Sequence, residues 1–202
     1  MKTIGAEKLI LDFLKNPEEA KLSFVTSIFE KLEAFLFYQM IAKMNGIPDP
    51  FDSVLVKAYW LGNRLLKTIE NKDILFVSPA YFIKLSDLIG TKPHHNFGVL
   101  WPTKKTKNIP LKKIDECLVK PGRVIKVKQK TILVETISLF RKGKKINFRR
   151  SNEEVSKEVM KGLIGHGDWV SIHFDMARER ISRNCANNLA EITKEAISFF
   201  NR

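Results

Sequence analysis

Cysteine is nearly absent from this chain: Cys117 and Cys185 are the only two in 202 residues. Two isolated cysteines make no disulfide framework, and their use fits a reducing, cytoplasmic compartment. Glutamine is as scarce, at Gln39 and Gln129, and against abundant Lys, Glu and Ile this is a bias of thermophilic proteins. No run approaches the roughly 18 uncharged apolar residues that a membrane-spanning helix needs. Charges at Glu7, Lys8 and Asp12 interrupt the N-terminal apolar stretch, so no secretory signal is expected. The usual catalytic signatures are missing too: there is no Gly-rich phosphate loop, His-Glu-x-x-His, Cys-x-x-Cys or Gly-x-Ser-x-Gly. The balance leans away from an enzyme.

What the chain does have is enough apolar content, 44%, for one good core or for two small domains sharing an interface. It also has a net charge of +13, and that charge is concentrated. Residues 103–150 carry sixteen Lys/Arg against only Asp115, Glu116 and Glu135, which leaves the rest of the chain neutral. Such a segment points to an acidic or polyanionic partner, with Lys120, Arg123, Lys126, Lys128, Arg149 and Arg150 as the contacts. The plainer reading is a solvated β-surface whose lysines protect its edges.

The first half reads as helical. Apolar residues at three-to-four spacing predict helices over 4–15, 17–44, 53–69 and 79–89, with Asp52 or Ser53 capping the third. Gly62-Asn63 falls inside that third helix, where glycine costs about 1 kcal/mol and implies close packing. Residues 90–110 read as a loop with a short strand at 97–101 and then a lysine-rich linker. From residue 111 the period changes to alternation, giving strands at 114–119, 123–128, 131–140, 145–149 and 169–174. Turns are expected at Pro121-Gly122, Gln129-Lys130 and Lys142-Gly143, an inserted helix over 152–163, and a last helix over 184–201 capped by Ser182. The fold class is therefore α+β: an α-helical domain over 1–103, then an OB-like β-barrel with a C-terminal helix over 111–202.

Within the second half, Cys117 precedes Pro121-Gly122-Arg123-Val124, and Gly167-Asp168-Trp169-Val170-Ser171-Ile172-His173 follows. That order resembles the HypC/HupF hydrogenase-maturation chaperones, over roughly 115–182. The whole chain, through Ala58 to Asn63, Pro93 to Phe97 and Gly167 to His173, also looks like an uncharacterised family associated with hydrogenase-bearing microbes. The resemblance implies a HypC-like barrel and a non-enzymatic chaperone or adaptor in NiFe-hydrogenase metallocentre maturation. Its implied cargo is iron, as an iron–carbonyl–cyanide unit, with Cys117 as ligand and His173 in support. In the family the cysteine stands at the amino terminus, whereas Cys117 is internal.

A thiolate suits the task because it binds iron tightly and still exchanges, and Arg123 with nearby lysines is expected to lower the Cys117 pKa. His94 and His95 are weaker metal candidates, since neighbouring side chains of an extended segment point to opposite faces. Against each candidate stands an ordinary structural role: a small buried hydrophobe for the cysteine, satisfied hydrogen bonds for the histidines. The implied partner is an acidic protein such as a hydrogenase subunit or maturation factor. Two alternatives stay open. A basic OB-like barrel also describes an RNA- or single-strand-binding protein, although only Phe140 and Phe148 supply aromatics in the basic segment. A metal-free protein–protein adaptor is the other.

Overall fold

The structure, a computed structural model, describes residues 33–67, 69, 92–105, 109–160 and 162–202. The helices expected over 4–15 and 79–89, and the start of the one over 17–44, lie outside these residues. The remainder of that helix is α1, Glu33–Met44, which ends at the expected residue and is followed by Asn45-Gly46. Gly46 takes a φ of 64°, while the Asn45 side chain donates to the Ile41 and Leu65 carbonyls at 2.9 and 3.3 Å. Helix α2 follows at Ser53–Leu61, and the Asp52 carboxylate accepts from Val54 N at 2.8 Å as its N-cap. Gly62 is not inside this helix but ends it, at φ 73°, packed against Ile192.

Several local expectations are corrected. Residues 97–101 belong to a helix, α3 (His95–Lys105), because Phe97 and Leu100 bury one helical face. A short apolar run fits either period, and tertiary contact decides it. Residues 114–117 likewise end helix α4 (Leu111–Cys117), where Ile114 and Leu118 share a buried face. Pro121-Gly122 is no turn: it lies inside strand β1, Lys120–Val127, opposite Ser171 and Val170. Glycine is required there because a Cβ on Gly122 would come within 2.5 Å of Ile172 Cδ1 and 3.3 Å of Val134 Cβ.

Strand β2 (Thr131–Lys142) pairs along its whole length with β3 (Lys145–Ser156). The helix expected over 152–163 is thus displaced by strand as far as Ser156. The acids of its expected first turn are used across the sheet instead, Glu153 on Lys120 and Glu154 on Lys128 and Thr131. Strand β4 (Trp169–His173) turns through Phe174-Asp175 into β5 (Met176–Ile181), a strand its polar Arg178-Glu179-Arg180 run conceals. The final helix, α5 (Arg183–Phe200), begins at Ser182, whose hydroxyl accepts from Cys185 N at 3.2 Å.

The molecule is mixed α and β, with one five-stranded sheet and a C-terminal helix. Its strands pair in the order β1-β2-β3-β5-β4, and β4 returns to β1, so the pairings close into a ring. The ring is narrowly joined at β3–β5, which pair in parallel only at Ser156 and Met176. Val124, Ile132, Val134, Val155, Val170, Ile172 and Ala177 form the apolar cluster of the strands. A larger cluster unites the helices, from Ile41 and Leu55 through Phe97 and Leu118 to Leu189 and Ile197, and reaches Leu139 and Phe148 on the sheet. Burying each such Leu or Ile contributes about 1.5–3 kcal/mol, which fixes α3, α4 and α5 against the strands. No helix among the described residues is long and apolar enough to cross a membrane.

Candidate functional site around Cys117 and His173

Helix α4 ends at Cys117, three residues before β1, and β1 runs antiparallel to β4 with Lys120 opposite Ile172. This register carries the end of β4, and so His173, back to the end of α4. The turn is fastened there, because Phe174 N donates to the Glu116 carbonyl at 2.8 Å. The two halves of the motif, distant in sequence, meet at one junction.

The Pro93–Phe97 segment builds the junction from the other side. His95 Nε2 donates to the Cys117 carbonyl at 3.0 Å, which leaves Nδ1 to accept from the Tyr59 hydroxyl at 3.5 Å. The Asn96 amide exchanges bonds with both backbone groups of Val119, at 2.8 and 2.9 Å, and donates to Thr193 Oγ1 at 2.8 Å. One side chain thereby imitates a neighbouring strand and ties α3, the residue that leads into β1, and α5 together. His94, fully buried, accepts from Asn96 N at 3.1 Å through Nδ1. The Trp60 ring stacks on His95 with 4.5 Å between centroids, and its Nε1 donates to the Tyr38 hydroxyl at 2.8 Å. His173 completes the group edge-on, 5.0 Å from His95 and 5.6 Å from Trp60.

Phe174 projects from this cluster. It lies 4.3 Å from the His173 ring and is 48% exposed. Phe174 and Asp175 both take left-handed conformations, φ 53° and 54°, without being glycine. Each costs about 1 kcal/mol, and the tight two-residue hairpin turn is what requires it.

Burial dominates the electrostatics. It lowers the His173 pKa to about 4, helped by His95 and Arg178 and opposed by the nearby Cys117 carbonyl. His173 Nε2 is buried and makes no hydrogen bond. The His95 pKa is lowered by burial against the pull of the Cys117 carbonyl, so the site's rings are neutral near pH 7. Cys117 is half-buried, and its thiol pKa is raised by burial and by Glu116. The expected lowering by Arg123 is corrected: Glu116 stands beside the thiol, while Arg123 points outward from β1. The described residues contain no group of three or more His, Cys, Asp or Glu side chains able to hold a metal.

A family of unknown function, DUF6390, matches residues 14–202. The chain belongs to that family. No curated protein and no solved structure matches it. The match with DUF6390 runs unbroken from the helices through the strand ring to α5, so Trp60, His95, Cys117 and His173 all fall within it.

The basic candidates divide. Lys120 is buried inside the ring, where its ammonium donates to Asp115 at 3.0 Å and Glu153 at 3.2 Å. It is neutralised internally and presents nothing to a partner. Burial raises the Asp115 pKa more than Lys120 lowers it. Burial acts the same way on Glu153, but bonds from Ser138, Lys120 and Ser151 outweigh it and hold that carboxyl below its ordinary value. Arg123, Lys126, Lys128, Arg149 and Arg150 are exposed, and Lys128 pairs with Glu154. Of the residues gathered here, Cys117, His173, His94 and His95 are candidates from the sequence, whereas the roles of Asn96 and Trp60 have no such forewarning. For Asn96 the only signal is its place beside two histidines.

Proposed function

We propose that this chain is a non-enzymatic chaperone or adaptor in NiFe-hydrogenase metallocentre assembly, built on an OB-like barrel. The observation that carries the reading is the meeting of Cys117 with His173 at the closure of the strand ring. Its strand order, with a parallel β3–β5 join, supports the OB-like assignment. An iron–carbonyl–cyanide unit is cargo on this reading and brings most of its own ligands. Cys117 supplies the protein's ligand and gives its proton to solvent on loading, so retention weakens as pH falls. His173, neutral and with Nε2 unbonded, lies beside the Cys117 backbone carbonyl. The exposed Phe174 and its rigid turn give the site a fixed apolar contact for a partner such as a hydrogenase subunit or maturation factor.

The raised thiol pKa favours a second reading, an adaptor without iron, because an unloaded Cys117 is a neutral thiol. One experiment separates them: iron content and the infrared spectrum of protein purified anaerobically from its native host, with Cys117→Ala alongside. Iron with carbonyl and cyanide bands, lost in the variant, establishes the carrier. Iron-free protein that still captures a hydrogenase component through Phe174 leaves the adaptor. Iron-free protein that captures none removes both.

A further inference from the structure

Beyond that reading, and independently of Cys117, we propose that the outer edge of β3 takes up an acidic, extended peptide segment as an added strand. In an antiparallel pair, alternate residues aim their backbone N–H and C=O away from the partner. Two observations fix which residues of β3 do so. Ile146 exchanges both backbone groups with the Asn201 side chain, at 2.9 and 2.6 Å, and Ser156 N donates to the Asp175 carbonyl at 2.9 Å. Residues of the same parity between them, Phe148, Arg150, Asn152 and Glu154, therefore point outward.

No described residue bonds these outward groups. The β3–β5 pairing reaches only Ser156, and among the described residues nothing closes the strand between it and Ile146. Arg149, Arg150, Asn152 and Glu154 are exposed. An edge that the described residues leave open over this length is a template for another strand.

Charge selects the occupant. Arg149 and Arg150, being successive, flank the edge from opposite faces of the sheet. Arg141, Lys142, Lys144 and Lys145 surround the same end, all exposed, and none of these six forms an ion pair among the described residues. Lys142 stands directly opposite Lys145 across the ladder, an arrangement of like charges that costs stability. A second copy of β3 would add its own arginines to this field, so the edge is set against self-pairing. Carboxylates at successive positions of an extended peptide answer both faces.

The test uses the full chain and a synthetic peptide of about eight residues repeating Glu-Glu-Val-Val, which sets carboxylates on both faces of the added strand, read by amide hydrogen exchange. Controls are the matching Lys–Val peptide and an oligothymidylate. The acidic peptide is expected to slow exchange at Phe148, Arg150, Asn152 and Glu154 by about tenfold or more. Arg150→Pro removes one outward donor at a position where an edge tolerates proline, and weakens binding about tenfold. Arg149→Glu with Arg150→Glu reverses the preference toward the Lys–Val peptide. Absence of protection at those amides overturns the proposal whatever the variants do. So does a folded Arg150→Pro that binds like wild type, which makes the attraction charge alone. Protection by the oligothymidylate and not the peptide assigns the face to nucleic acid instead.

Discussion

His94 shows how much a single buried group sets the response to acid. Burial, then His95 and Lys92, hold its pKa at about 3, against an ordinary 6.5, with only the Trp60 carbonyl opposing. A folded pKa below the unfolded one means that the unfolded chain binds the extra proton. Stability from this group is therefore full above about pH 6.5 and is lost as pH falls toward about 3. His173 adds the same sign down to about 4. Each histidine steepens the slope by at most about 1.4 kcal/mol per pH unit. Urea unfolding at pH 7, 6 and 5 is expected to show falling stability, flattened in His173→Gln; an equal slope in that variant would contradict the assignment. Lys120 is the converse case. Lys120→Met strands two carboxylates at a buried site and is expected to cost about 3 kcal/mol. Unfolding at pH 7 checks it, and a loss below about 1 kcal/mol refutes the internal role.

At the scale of elements, the strands are held by one close approach and one amide. Gly122→Ala drives a Cβ against the buried Ile172 and Val134 and is expected to cost about 1–3 kcal/mol by denaturation, where an unchanged midpoint would show β1 and β4 free to separate. Asn96→Ala removes both bonds to Val119 and the one to Thr193, and is expected to cost about 2 kcal/mol and speed exchange at Val119 N–H. Protection unchanged at Val119 would refute the tie. These positions also show what was legible in advance. Asp52, Ser182 and Asn45-Gly46 announce themselves because caps act within one turn of chain. The β2–β3 hairpin is legible from its alternation. Residues 97–101 and 114–117 are not: the first is a short apolar run and the second sets only Ile114 and Cys117 about two acids, so neither fixes its period until Leu100 and Ile114 meet the core. Glu153-Glu154 imitates a helix start, and only the distant Lys120 and Lys128 reveal its use. Cys117 and His173 were readable as types, but their meeting depends on the β1–β4 register, which no local signal specifies.

Across the whole molecule, charge and chemistry occupy different places. The rings and thiol of the junction, His95, Trp60, Cys117 and His173, are neutral and partly apolar, whereas Arg141, Lys142, Lys144, Lys145, Arg149 and Arg150, in no ion pair among the described residues, gather along the β2–β3 hairpin. A partner that engages both must be acidic on one surface and apolar on another. That the junction serves hydrogenase assembly is a proposal, and one measurement tests it most directly. It replaces the native gene by Cys117→Ala and His173→Ala forms and follows the metal content of the hydrogenase large subunit. The account predicts normal levels of this chain with a large subunit depleted of its NiFe centre. A fully loaded large subunit in both strains, and in one lacking the chain altogether, would contradict it.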